Sequence, residues 1–167
     1  MDALLLEGSG MEWGEIFPTS LEDMLVLQFV IGRNPQDAKA RYQLGNLFYD
    51  KKRYKEAVTQ WEQSAAMDAT FPTVWRNLSL AYFNKEKEPG KSLAAMEKAF
   101  SLDENDARVC MELDQLYKRL GHPPVKRYDF LARHFSLVES RDDVYAEYIT
   151  LLNLLKRHAE AYGKIMT

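Results

Sequence analysis

The sequence predicts an all-α fold built from stacked two-helix units. Apolar and aromatic residues recur every 34 or 35 positions. Each period holds two stretches of helical spacing with a turn signal between them, and no run of alternating apolar and polar residues competes as a strand.

The period is visible in four series. Leu44, Leu78, Leu113 and Tyr148 form the first, with steps of 34, 35 and 35. Phe48, Tyr82, Tyr117 and Leu152 form a second, and Arg41, Trp75, Cys110 and Tyr145 a third, with the same steps. The fourth runs Leu27, Trp61, Met96, Phe130 and Ile165 in steps of 34, 35, 34 and 35. Four series in step define a repeating supersecondary unit.

The elements follow in order. Residues 19–33 form a helix with a broad apolar surface, closed by Asn34-Pro35. Residues 36–50 carry Leu44 and Phe48 and end at the polar turn Asp50-Lys51-Lys52-Arg53, and 54–68 carry Ala57 and Trp61. Thr70-Phe71-Pro72 opens a helix over 72–86, where Trp75, Leu78 and Tyr82 share one face. The turn Glu86-Lys87-Glu88-Pro89-Gly90 leads to 90–102 with Met96, and Asn105-Asp106 opens 106–120 with Cys110, Leu113 and Tyr117. After Gly121-His122-Pro123-Pro124 comes 124–138 with Phe130. Ser140 is the expected N-cap of a helix over 141–156, with Asp143 three residues on. A short helix over 158–166 follows Lys156-Arg157. The expected core is Leu44, Phe48, Trp61, Leu78, Tyr82, Met96, Leu113, Tyr117 and Phe130, residues whose role is packing.

Composition agrees. A chain of 167 residues fits one domain of the usual ~100–200. A 46% hydrophobic content supports a core. A single cysteine excludes an internal disulfide. The net charge of −3 lacks the basic excess of a nucleic-acid binder. The most apolar run, Leu25 to Ile31, is far short of the ~20 residues of a membrane-spanning helix. Leu4, Leu5 and Leu6 are flanked by Asp2 and Glu7 with no basic residue before them, so no secretory signal is expected and a cytoplasmic location is.

The units resemble the tetratricopeptide repeat, whose pattern is Trp-x2-Leu-Gly-x2-Tyr, then Ala-x3-Phe, then Pro. The first unit reads Arg41-x2-Leu44-Gly45-x2-Phe48 and Ala57-x3-Trp61, and the second Trp75-x2-Leu78-Ser79-x2-Tyr82 and Ser92-x3-Met96. The fourth reads Tyr145-x2-Tyr148-Ile149-x2-Leu152 and Ala161-x3-Ile165. The resemblance implies a right-handed superhelical solenoid of about three full repeats with partial repeats at both ends. The segments are a half repeat over 19–35, repeats over 36–71, 72–106 and 107–141, and a partial repeat over 142–167. Residues 1–18 are an extension expected to cover the first helix, to which they bring Trp13, Ile16 and Phe17. The third repeat departs from the pattern. Asp114 stands at a small-residue position, and Lys126 and Arg133 lie where the second helix usually carries alanine, so this unit is expected to be splayed.

The resemblance also implies a non-catalytic module that binds a protein or peptide in a groove lined by the first helix of each repeat. Tyr42, Asn46, Tyr49, Arg76, Leu80, Phe83, Arg108, Gln115 and Arg119 are the groove candidates. Arg76, Arg108 and Arg119 form a basic stripe suited to carboxylates, and the tyrosines supply contact area. Some related domains clamp the C-terminal carboxylate of heat-shock chaperones. Asn46, Asn77 and Arg108 fit that clamp, but Tyr42 and Glu112 replace its basic residues, so no such clamp is expected. Trp13 through Leu102 also resembles the repeat segment of large bacterial proteins that carry an N-terminal mutarotase-like β-sandwich. That implies a spacer or self-assembly module in a larger, carbohydrate-related protein as the second reading. Both ends look unfinished, which suits a fragment of a longer array or self-association through apolar ends.

Nothing in the sequence calls for catalysis, a cofactor or a metal. His122 sits in an exposed turn, His134 and His158 are far apart in the repeat plan, and no zinc-ligand spacing exists. Cys110 occupies a core position. Gly90-Lys91-Ser92 lacks the first glycine and the preceding strand of a phosphate loop.

Overall fold

The computed structural model describes residues 18–166. Among these residues the helices are α1 (Leu21–Arg33), α2 (Ala38–Asp50), α3 (Tyr54–Met67), α4 (Pro72–Ala81), α5 (Pro89–Leu102), α6 (Ala107–Arg119), α7 (Pro124–Arg133), α8 (Phe135–Glu139), α9 (Asp142–Leu154) and α10 (His158–Ile165). Each packs on its neighbours in sequence: α2 on α3, α4 on α5, α6 on α7, and the second helix of each unit on the first of the next. This nearest-neighbour stacking defines a helical solenoid. The expected cover of α1 by residues 1–18 falls, but for Pro18, outside the described residues.

Local signals set the starts. The Ala40 N–H donates to the Asp37 carboxylate at 2.8 Å, and the Arg108 and Val109 N–H groups donate to Asp106 at 2.8 and 3.0 Å. Ser20 and Asp23 form a reciprocal capping box on α1. Ser140 is not the cap of α9. Its hydroxyl donates back to the Leu137 carbonyl at 2.7 Å, and Arg141 takes the cap position, its guanidinium paired with Asp143.

The turns inside the units repeat one geometry. Lys52, Lys87, Gly121 and Lys156 all have positive φ (62°, 61°, 76° and 60°) and lie 35, 34 and 35 residues apart. In three of them the next residue's N–H closes a six-residue loop onto the last helical turn: Arg53 to Phe48, His122 to Tyr117 and Arg157 to Leu152, at 2.8, 2.9 and 2.9 Å. In the second unit the matching bond runs from Glu88 to Tyr82 and spans one residue more. That residue is absorbed in a π-helical turn, Tyr82–Glu86, which replaces the end of the helix expected over 72–86. It accounts for the step from Leu78 to Leu113 being 35 where that from Leu44 to Leu78 is 34. The next extra residue lies between Phe130 and Tyr148. There the single helix expected over 124–138 is broken at His134 into α7 and α8. The His134 ring fills the break, 4.9 Å from Phe100 and 5.2 Å from Phe130 between ring centres.

Where the two helices of a unit cross, residue size sets the approach. In the first unit a Cβ on Gly45 would lie 2.5 Å from the Trp61 indole. In the second, the Ser79 hydroxyl donates to the Ser92 carbonyl at 2.7 Å. In the third, Asp114 and Arg127 take these places and form a buried ion pair, with contacts of 3.0 and 2.6 Å. The charge at this crossing is therefore Arg127; Lys126 and Arg133 are exposed. The long guanidinium in place of a small residue props α6 and α7 apart.

Eight of the nine expected core residues are buried, and Tyr117 is half-buried. One cluster joins α2 to α5 around Leu47, Trp61 and Leu78, and a second joins α5 to α10 around Met96, Leu113 and Leu131. Trp75 packs against both, making the core continuous along the stack.

Candidate functional site

The first helices of the units, α2, α4, α6 and α9, carry the groove candidates, and the structure divides these into two groups. Tyr42 belongs to the core. It is 5% exposed, with its ring edge-on to Phe71 at 4.9 Å. Tyr49 is half-buried between Tyr54 and Trp61, at 5.0 and 5.3 Å. Asn46 is tied up locally: its Oδ1 accepts from the Trp61 indole N–H at 3.1 Å and from Asn77 Nδ2 at 3.4 Å. These three fix the first unit and offer little to a partner.

Arg76 is also committed. Its guanidinium donates twice to Glu112 on the next unit, at 2.6 and 2.5 Å. Arg108 lies 3.7 Å from the same carboxylate with its side chain 65% exposed. Glu112 thus neutralises the middle of the expected basic stripe and leaves Arg108 and Arg119 at its outer side. This acid was the residue that sequence reasoning missed as a partner. Part of its signal was present: Glu112 lies four residues after Arg108 on one helix.

Leu80, Phe83, Gln115 and Arg119 come together. They line an open cavity of about 370 Å³ between α4 and α6, with Met96 and Met111 on its walls and Ser79 and Ser92 also contributing. The π-helical turn contributes Phe83 and Asn84 to this cavity. Arg119 sits over the Phe83 ring at 5.6 Å, which stacks a cation on an aromatic face at the mouth. The site combines apolar walls with a polar edge.

A further charged network lies beyond it. Arg127 donates to Glu147 at 2.8 Å, and Lys118 donates to both Glu147 oxygens at 2.9 Å. Burial raises the Asp114 carboxyl above its ordinary range even against the Arg127 bond. Burial acts in the same direction on Glu147, but the Lys118 and Arg127 bonds outweigh it and hold the group below the usual value. This network links α6, α7 and α9.

The expected inert groups are placed as follows. Cys110 is fully buried, and burial together with the nearby Asp114 and Asp106 charges pushes its thiol up to about 12, so no thiolate is present at neutral pH. His122 is half-buried rather than exposed, its ring 4.7 Å from Tyr117. His158 is exposed, 3.1 Å from Asn153. Among the described residues no three acidic, histidine or cysteine side chains are grouped as a metal site would need. No described helix is long and apolar enough to cross a membrane.

Helix pairs of 34–35 residues with nearest-neighbour stacking form an all-α helical-repeat solenoid. Residues 45–85 match the TPR repeat family. Solved structures show the same fold. The crystal structure of the MamA protein is 17% identical, with a TM-score of 0.68, over 86% of this chain and 77% of that one. YrrB, described as a TPR protein with an unusual peptide-binding site, is 17% identical with a TM-score of 0.66 over 84% and 72%. MamA 41-end from Desulfovibrio magneticus RS-1 is 24% identical with a TM-score of 0.59 over 71% and 66%.

Proposed function

We propose that this protein is a non-catalytic interaction module that holds a peptide segment of a partner protein across α4 and α6. One apolar side chain of the peptide enters the cavity between them, and an acidic side chain reaches Arg119 or Arg108. The observation that supports this reading is the cavity itself. It is walled by Leu80, Phe83 and Met111, and a stacked arginine stands at its edge. A packed repeat interface has no need of such an opening, and buried aromatic and arginine contacts are where peptide affinity concentrates. YrrB, similar in fold, is described as having a peptide-binding site, which is consistent with this use of the fold.

The test is selection of displayed random peptides on the wild-type protein, followed by counter-selection on Leu80→Asp/Arg119→Glu. Peptides pairing an apolar residue with a nearby Asp or Glu should be enriched on the wild type and lost on the variant. Sequences kept equally by both would refute this site.

A spacer or assembly role is the second reading. Exposure of Leu154, Tyr162, Ile165 and Met166 at the last described helices favours it. Mass that rises with concentration, with no peptide enriched, would support it instead.

A further inference from the structure

Positive charge gathers at the turns inside the first two units. Residues 50–56 and 85–91 hold seven lysines and arginines against four acids, in a chain whose net charge is −3. The turns between units, at the other ends of the helices, hold acids instead: Asp37, Asp68, Asp103, Glu104 and Asp106.

Between the two basic turns lies an open cleft of about 430 Å³. Tyr54 lines it, with its ring 5.0 Å from that of Tyr49, and the Lys85 ammonium stands 4.2 Å above the Tyr54 ring. Lys52, Arg53, Lys55 and Lys85 surround the cleft, against Glu56 and Glu86. Glu56 is taken by Arg53. Among the described residues Lys52, Lys55 and Lys85 form no ion pair, and all three are exposed. Like charges around one cleft focus a positive field into it and favour an anionic ligand.

This cleft adjoins the apolar cavity between α4 and α6. Asn84, on the π-helical turn, lines both. The same turn gives Phe83 to the apolar side and Lys85 to the basic side. Lys87 adds a positive charge at the crossing, where its ammonium donates to the Asn84 carbonyl at 3.2 Å. Arg119, over the Phe83 ring, stands on the apolar side.

We infer that the partner peptide carries a run of acidic residues beside its apolar anchor, and that this run crosses Asn84 into the cleft of Lys52, Lys55 and Lys85. This rests on the proposed peptide site between α4 and α6 and names the class of its partner: a segment with one apolar anchor flanked by several Asp or Glu. Lysine ammoniums are point charges on flexible stems, without the fixed fork of arginine. They respond to the number of carboxylates more than to their exact placement, so Asp and Glu serve alike. A bare polyanion would fill the cleft but leave the apolar cavity beside it unused. The acidic turns of a second copy, around Asp103, Glu104 and Asp106, are the competing occupant.

The experiment uses the full chain and displayed random peptides selected on it. Selected peptides are resynthesised with every acid beyond the first replaced by Gln. Fluorescence anisotropy then compares both forms on the wild type and on Lys52→Gln/Lys55→Gln/Lys85→Gln, whose exposed positions leave helix content unchanged. On the wild type the acidic run should tighten binding about tenfold, and high salt should erase the gain. On the triple variant the two forms should bind alike. Selected peptides without an acidic run, no gain on the wild type, or the same gain on the triple variant would overturn the inference and leave the site between α4 and α6 standing. Peptides indifferent to Leu80→Asp/Arg119→Glu would remove that site itself. Polyglutamate binding as tightly as the selected peptide would give the cleft to a bare polyanion. Wild-type self-association at low salt, lost in the triple variant, would give it to a second copy. Either result would also overturn the inference.

Discussion

Single residues decide how closely the helices approach. Trp61 is held by its indole N–H, which bonds to the Tyr42 carbonyl at 3.2 Å and to Asn46, and its ring occupies the space a Cβ on Gly45 would need. Gly45→Ala should therefore cost about 1–3 kcal/mol, because neither backbone nor locked indole can give way easily. Gly32, on α1, has nothing within 4 Å of such a Cβ. Gly32→Ala should be neutral or raise stability by up to ~1 kcal/mol through helix propensity. Urea unfolding of the two variants checks this contrast; similar midpoints would mean that the Gly45 crossing is looser than described. The importance of a small residue at 45 was legible from the repeat pattern. The burial of Tyr42 was not, because a residue on the groove side of the helix gives no sequence sign that Phe71, just before α4, will pack against it.

At the scale of elements, the third unit replaces a small-residue crossing with an ion pair. Asp114 and Arg127 have side chains 3% and 4% exposed, and Arg127 also serves Glu147. Removing one partner leaves a buried charge uncompensated, so Arg127→Ala should destabilise by about 3–5 kcal/mol. Asp114→Ser/Arg127→Ser recreates the Ser79–Ser92 arrangement of the second unit and should cost less than Arg127→Ala alone. A double variant at least as unstable as the single one would show that the pair holds the unit together by more than mutual compensation. The sequence announced this irregularity through Asp114, Lys126 and Arg133, but the charge that meets Asp114 is Arg127, one residue beyond Lys126. Helix boundaries carry that degree of slip whenever turns differ between repeats. The two steps of 35 were likewise visible, yet a period shows only that a residue was added. The π-helical turn at Tyr82–Glu86 and the break at His134 are choices made by packing.

At the scale of the whole molecule, the order of helices was legible because every unit repeats the same burial problem and solves it with the next one. Even the ties between units are periodic. The Tyr82 hydroxyl donates to Glu62 at 2.7 Å, and the Tyr117 hydroxyl donates to Glu97 at 3.0 Å, each from the first helix of one unit to the second helix of the unit before. The candidate site was legible only in part. Of the residues that register put in the groove, Leu80, Phe83, Gln115 and Arg119 line one cavity. Spacing showed that Glu112 could meet Arg108 on its own helix, but not that Arg76 of the unit before would take it, since pairing across units depends on side-chain reach. The basic stripe therefore contracts to Arg108 and Arg119, and the apolar cavity between α4 and α6 is the centre of the proposed surface. The most direct measurement is an amide NMR shift map recorded as a selected peptide is titrated into the wild-type protein. Shifts concentrated at Leu80, Phe83, Met111 and Arg119 are expected, together with their loss in Leu80→Asp/Arg119→Glu. Shifts confined to α1 or α10, with α4 and α6 silent, would contradict the proposed site.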